Sequence, residues 1–295
     1  MQNATPAAIA VLVLELVPAA VFGFAGERVG QSCARWPSSV RIALPVFCAL
    51  PYGLISWSHH MFSWKWCALY AVVPVAIAWL LGQASVADPE QRGNWRDAII
   101  LVTLGLAVDL RWLERAWPSG LAGLGKLLLV DAALYGFVAI RRLSGTGFDF
   151  HFRWSDWKTG LRELVFFTPL VLALGMALGF LHPHGYAPRL SMILKMISTW
   201  IYIFIFIAVP EELFFRAWVQ NLLERRVGRR AALAITAVLF GLSHFNKRSA
   251  HFNWQYVLLA SIAGIFYGRA WREQRRVPAS TITHASVDAI WSFWF

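Results

Sequence analysis

The sequence predicts an all-α, polytopic transmembrane helix bundle of about 8–10 membrane helices. Its apolar residues are abundant, they come in long blocks rather than amphipathic stripes, and short polar stretches separate the blocks. Of 295 residues, 58% are hydrophobic and 15% charged, and the mean hydropathy is +0.53. A soluble domain of this size carries closer to about 25% charge.

Ten blocks are candidate spans: residues 7–25, 42–57, 67–81, 98–110, 121–140, 164–181, 190–210, 231–243, 254–267 and 277–295. A helix needs about 20 residues to cross the hydrocarbon core, so the shorter blocks must borrow flanking residues. The first block has Glu15 as its only charge, and no Lys or Arg precedes Arg28. The basic n-region of a signal peptide is therefore missing, and the block reads as a retained helix.

A net charge of +11 would suit a nucleic-acid binder, but its distribution argues against one. If the ten blocks alternate across the bilayer, 18 of the 27 basic residues fall on one side, in the stretches 28–41, 92–96, 141–162, 225–230 and 269–276. Lys65, Arg111, Arg115, Lys126, Arg189, Lys195, Lys247 and Arg248 belong to the other side or to nearby helix interiors. Positive charge stays cytoplasmic, which puts both termini outside. The expected partners are the lipid bilayer and a membrane-associated substrate, not nucleic acid. Residues 225–230 also form a basic patch suited to anionic headgroups.

Cys33, Cys48 and Cys67 include no C-x-x-C pair, so neither a disulfide framework nor a zinc cluster is expected. Polar stretches at 82–97 and 141–162 punctuate the chain. The second divides a region of N-terminal membrane helices without a motif, 1–143, from a C-terminal region, 144–295. Trp64, Trp66, Trp112, Trp117, Trp154, Trp157, Trp291 and Trp294 lie near block ends and read as interfacial anchors.

Chemistry is to be sought where polar residues interrupt the C-terminal blocks, because an ionisable group at a membrane helix centre costs about 2.5–3.5 kcal/mol on the mildest scale. The first interruption is Pro210-Glu211-Glu212-Leu213-Phe214-Phe215-Arg216. On a helix Glu212 and Arg216 share a face and can pair. Glu211 then points about 100° away with no local cation, where desolvation suits a carboxyl to general acid–base work. The alternative is a helix that ends near Pro210, leaving both carboxylates at a hydrated terminus. Phe240-Gly241-Leu242-Ser243-His244 closes the next block, and His284 and Asp288 share a face in the last. Read singly, His244 is an interfacial or hydrogen-bonded residue and His284–Asp288 a satisfied pair.

Together, Glu-Glu-x-x-x-Arg, Phe-x-x-x-His and His-x-x-x-Asp follow one another on consecutive membrane blocks, and the chain resembles the CPBP family of CAAX-protease and bacteriocin-processing membrane proteins. The motif-bearing part runs from about residue 194 to 291. The resemblance implies a glutamic intramembrane endopeptidase without an obligatory metal or other cofactor, acting on a membrane-associated protein or peptide. A multi-pass protein of the bacterial inner membrane is expected. By carry-over, Glu211 and His244 activate the attacking water, Arg216 holds Glu212 to shape the site, and His284 with Asp288 lines the oxyanion region. Relatives often carry Asn at the last place, and an ionised Asp can only accept. Asp288 is therefore either protonated, or orients and charges His284 and leaves the other imidazole nitrogen to donate; the second is the expectation.

Gly264 and Gly268 have the G-x-x-x-G spacing that permits close helix approach. Asp109, Lys126 and Asp131 fit no motif and are expected to pair inside the bundle. His59-His60 and His182-Pro183-His184 fall in loops. Two rival functions remain. One is a zinc metalloprotease with Glu212, His244 and His284 as ligands and Glu211 as base, although no H-E-x-x-H is present. The other is non-catalytic: a scaffold or immunity protein, or a proton-coupled transporter using the same residues as a relay.

The topology is testable. Reporter fusions or cysteine labelling should find residues 141–162 and 225–230 in the cytoplasm and both termini outside. Residues 225–230 on the outer face would overturn the alternating arrangement.

Overall fold

The computed structural model describes residues 5–184, 189–247, 249 and 251–295; Arg248, counted above among the basic residues, lies outside them. Among the described residues there are ten helices and no strand. They form two compact units that divide after Ser144.

The first unit contains α1 (Pro6–Ala34), α2 (Ser38–Ser58), α3 (Trp64–Ala87), α4 (Trp95–Asp109) and α5 (Ala122–Ile140). Thr5 caps α1 by accepting from Ala8 N at 3.1 Å, and Asn94 with Asp97 forms a capping box on α4. Tyr52, Tyr70 and Trp117 pack at its core, and Trp117 Nε1 donates to Tyr70 Oη at 2.6 Å. Trp117 is thus a core residue and not an interfacial anchor. At the α5 end, the buried Arg141 guanidinium donates to Asp97 Oδ1 at 3.0 Å and to Asp88 Oδ2 at 2.6 Å. It ties the turn between α3 and α4 to α5. All three cysteines are free thiols.

The second unit contains α6 (Trp154–Ala177), α7 (Leu190–Val227), α8 (Arg229–Leu242), α9 (Trp254–Gln274) and α10 (Val277–Trp294). Helix α10 is its axis, buried without interruption from Val277 to Ala285. Close packing rests on glycines facing backbone. A Cβ on Gly264 would stand 2.9 Å from Ala237 Cα of α8, and one on Gly160 of α6 would stand 2.8 Å from the Ala279 carbonyl of α10. The glycine spacing expected to bring helices together does so between α8 and α9.

Ionic contacts collect at one end of this unit. Arg276, just before α10, donates to Asp156 Oδ1 at 2.7 Å and to Asp149 Oδ2 at 2.6 Å. Arg275 reaches Glu224 at 2.5 Å, Arg162 pairs with Glu273, and Arg272 donates to the Arg229 carbonyl at 3.3 Å. Partial burial pushes the Asp149 carboxyl up, but hydrogen bonds from Arg276 and His151 outweigh it and hold the group at about 2. Residues 153–162, 225–230 and 269–276 therefore belong to one end, as alternation of the five helices requires.

Among the described residues six helices, α1, α2, α3, α5, α6 and α7, are long and apolar enough to cross a membrane. At 15 and 14 residues, α4 and α8 fall short of about 20. Polar and basic residues dilute α9 and α10. The protein is a multi-pass membrane protein.

Candidate active site

Helix α7 does not end at Pro210. It runs for 38 residues, through π-helical turns at Phe204–Ala208 and Leu213–Gln220 on either side of Val209–Glu212. Proline lacks an N–H and clashes with the carbonyl four residues earlier. The wider π turn, common at functional sites, absorbs that defect without breaking the helix. The carboxylates of Glu211 and Glu212 consequently sit in mid-helix, not at a hydrated terminus.

Glu212 is fully buried and held from two sides. Arg216 Nε donates to its Oε2 at 3.0 Å, realising the i, i+4 pair, and His284 Nδ1 lies 2.9 Å from its Oε1. An ionised carboxylate can only accept, so Glu212 fixes the proton of His284 on Nδ1. The Arg216 terminal nitrogens have no hydrogen-bond partner. Its guanidinium carbon instead lies 5.4 Å from the Phe240 ring centre and 6.0 Å from that of Tyr267, within cation–π range.

The His284 ring stacks on Tyr267 with centroids 4.6 Å apart and meets the Phe240 ring edge-on at 5.6 Å. Its Nε2 faces two carboxylates, Asp288 Oδ2 at 3.6 Å and Glu211 Oε2 at 3.8 Å, both beyond hydrogen-bond length. The sequence pointed to Asp288 as the orienting group, but the short bond comes from Glu212, seventy-two positions away in the chain. Side chains of Glu211 and Asp288 are 27% and 31% exposed, against none for Glu212. Glu211 Oε2 has no hydrogen-bond partner.

His244 follows the last turn of α8, where terminal carbonyls lack helical partners. The Phe240 carbonyl accepts from Ser243 Oγ at 2.8 Å and lies 2.9 Å from His244 Nδ1. Since a carbonyl only accepts, Nδ1 carries the hydrogen there, and in the neutral ring Nε2 is left as an acceptor. Tyr256 packs against the ring with centroids 4.8 Å apart.

His244, His284 and Asp288 border a cleft between α6, α8, α9 and α10. Its walls are otherwise largely apolar, with Phe167, Phe180, Phe240, Tyr256, Tyr267 and Trp291 the main aromatic surfaces. Tyr256 and Tyr267 carry no motif and escape sequence reading. Trp291, read there as an anchor, lines this cleft. Only the position of Tyr267, beside Gly268 in the glycine-spaced helix, hinted at a close-packed seam. Among the described residues, no three His, Cys, Asp or Glu side chains converge as a metal-ligand set.

Residues 193–290 match the family model described as Rce1-like, type II CAAX prenyl endopeptidase. The match includes all six residues singled out by their motifs. Comparison with curated proteins and with solved structures finds no match.

The buried carboxylate sets the expected stability effects. Arg216→Ala should lower unfolding free energy in mixed micelles by about 3–5 kcal/mol, since it strands Glu212. Asp288→Asn, at the partly exposed edge, should change it by less than about 1 kcal/mol. Equal effects would contradict the central place given to Glu212.

Proposed function

From a C-terminal region that carries an Rce1-like domain of the CPBP family, we propose that this protein is a glutamic intramembrane endopeptidase. It hydrolyses peptide bonds of membrane-associated proteins or peptides in the inner membrane of a bacterium. The observation that carries this reading is an apolar cleft bordered by His244, His284 and Asp288, with Glu211 Oε2 3.8 Å from His284 Nε2 and Glu212 fully sealed behind it.

Each residue's part follows from its hydrogen-bonding capacity. A water accepted into the cleft donates to His244 Nε2, the free acceptor, and to Glu211, whose Oε2 is unengaged. Glu211 takes the water proton as the oxygen attacks the scissile carbonyl. The resulting oxyanion lies towards the Nε2 side of His284, which acts there as an imidazolium, Nδ1 donating to Glu212 and Nε2 to the oxyanion, and such a donor is worth about 3–4 kcal/mol. Glu211 then returns the proton to the leaving amine, completing hydrolysis. Glu212 and Arg216 touch no reacting atom; they hold His284 in orientation. Asp288 shares the Nε2 face of His284 and tunes its charge.

Purified wild-type protein in lipid should release peptide from a membrane-inserted substrate, while folded Glu211→Ala and His244→Ala should each lose at least about 100-fold. Activity should persist in EDTA or phenanthroline. Wild-type turnover in either variant would remove the water-activation assignment. Loss under chelation with recovery on added Zn²⁺ would favour the metalloprotease. No turnover by any form would favour the non-catalytic scaffold.

A further inference from the structure

Glu15 stands out in the first unit. Its side chain lies in the most apolar stretch of α1, is 3% exposed, and both carboxyl oxygens are buried without a hydrogen-bond partner. Asp131 of α5, 9% exposed, is the nearby acid. Helices α1 and α5 run side by side in the same direction. Ala8 and Val11 share a cluster with Leu124 and Leu128 near their starts, Phe22 meets Tyr135 further on, and Gly30 approaches the Val138 carbonyl beyond. Glu15 and Asp131 fall at the same level between these contacts. Asp131 was expected to pair inside the bundle, but Lys126 lies 3.5 Å from Glu114, and the neighbour of Asp131 is a second acid.

The surroundings offer no compensating charge. Neither carboxyl forms an ion pair among the described residues. Cys48 of α2 and Tyr70 of α3 are the other titratable groups in the field of Glu15, and Tyr70 Oη already accepts from Trp117. The Arg41 backbone carbonyl of α2 accepts from Tyr135 Oη, and its side chain forms no ion pair with Glu15 or Asp131 among the described residues. An isolated buried carboxylate costs several kcal/mol, and two acids side by side cannot both ionise. A metal cation would need a cage of oxygen ligands; here the neighbouring side chains include Val11, Leu12, Leu127 and Leu128.

We propose that Glu15 and Asp131 form a proton-binding site in the N-terminal unit, the proton held on Glu15 and exchanged through Asp131, the less sealed of the two. The site uses no residue of the candidate active site and does not depend on the proposed proteolysis.

Infrared titration of the full-length protein in lipid tests this. A protonated-carboxyl carbonyl band should persist at about pH 7, far above the ordinary Glu range, and be missing from Glu15→Gln. In Asp131→Asn, removal of the neighbouring negative charge favours ionised Glu15, so the band should vanish at a pH lower by at least about one unit. Absence of the Glu15 band at neutral pH in folded protein would overturn the proposal, as would a band unmoved by Asp131→Asn. Loss of the band on adding Na⁺ at constant pH would replace the proton with a cation.

Discussion

A carboxylate at Glu212, fully buried inside a membrane helix, is tolerable only if charge and hydrogen bonds reach it from every open direction. Arg216 comes from the next turn of the same helix, and His284 from α10. That requirement governs much of the second unit. Helix α7 has to stay helical from Glu212 to Arg216, or Arg216 could not lie over Glu212. Helix α10 has to sit at the unit's centre, or His284 could not arrive. The aromatic seats of Arg216 and His284, Phe240 and Tyr267, must come from α8 and α9.

Placement of those helices is a packing problem solved with small residues and a polar end. Gly264 lets α8 and α9 approach to backbone distance, and Gly160 does the same for α6 and α10. Thr283 Oγ1 adds a hydrogen bond to the Gly160 carbonyl at 2.9 Å. Without a hydrophobic drive between helices in lipid, such close contacts and interhelical hydrogen bonds supply the association. At the basic end, Arg276 clamps the start of α10 to the start of α6. The buried stretch of α10 begins at the next residue, Val277, and about two turns carry it to His284. A clamp outside the membrane thus sets the level of a site inside it.

Local periodicity made much of this legible in the sequence. Ten apolar blocks correspond to ten helices because each block is long enough to need burial or lipid. Glu212–Arg216 was legible because four residues is the helical repeat, and the three motifs marked their helices because ionisable groups in apolar blocks demand a reason. Longer-range features were not legible. Pro210 normally signals a helix end, and only the π turns show why it does not here. The bond between Glu212 and His284 spans two intervening helices, so spacing favoured Asp288, the nearer acid, as the partner of His284. Tyr256, Tyr267 and Trp291 look like any other aromatic residues of a membrane protein. Trp117 was misplaced at the interface because its burial depends on Tyr70, in another helix.

The central claim is that a Glu211-activated water cleaves the peptide bond without a covalent intermediate. The most direct measurement is a single turnover in oxygen-18 water, with mass spectrometry of the released fragments. The account predicts one heavy oxygen in each new carboxyl group, none retained on the protein, and no product trapped by hydroxylamine. Label appearing on a carboxylate of the protein, or a hydroxamate formed in place of the acid, would contradict it.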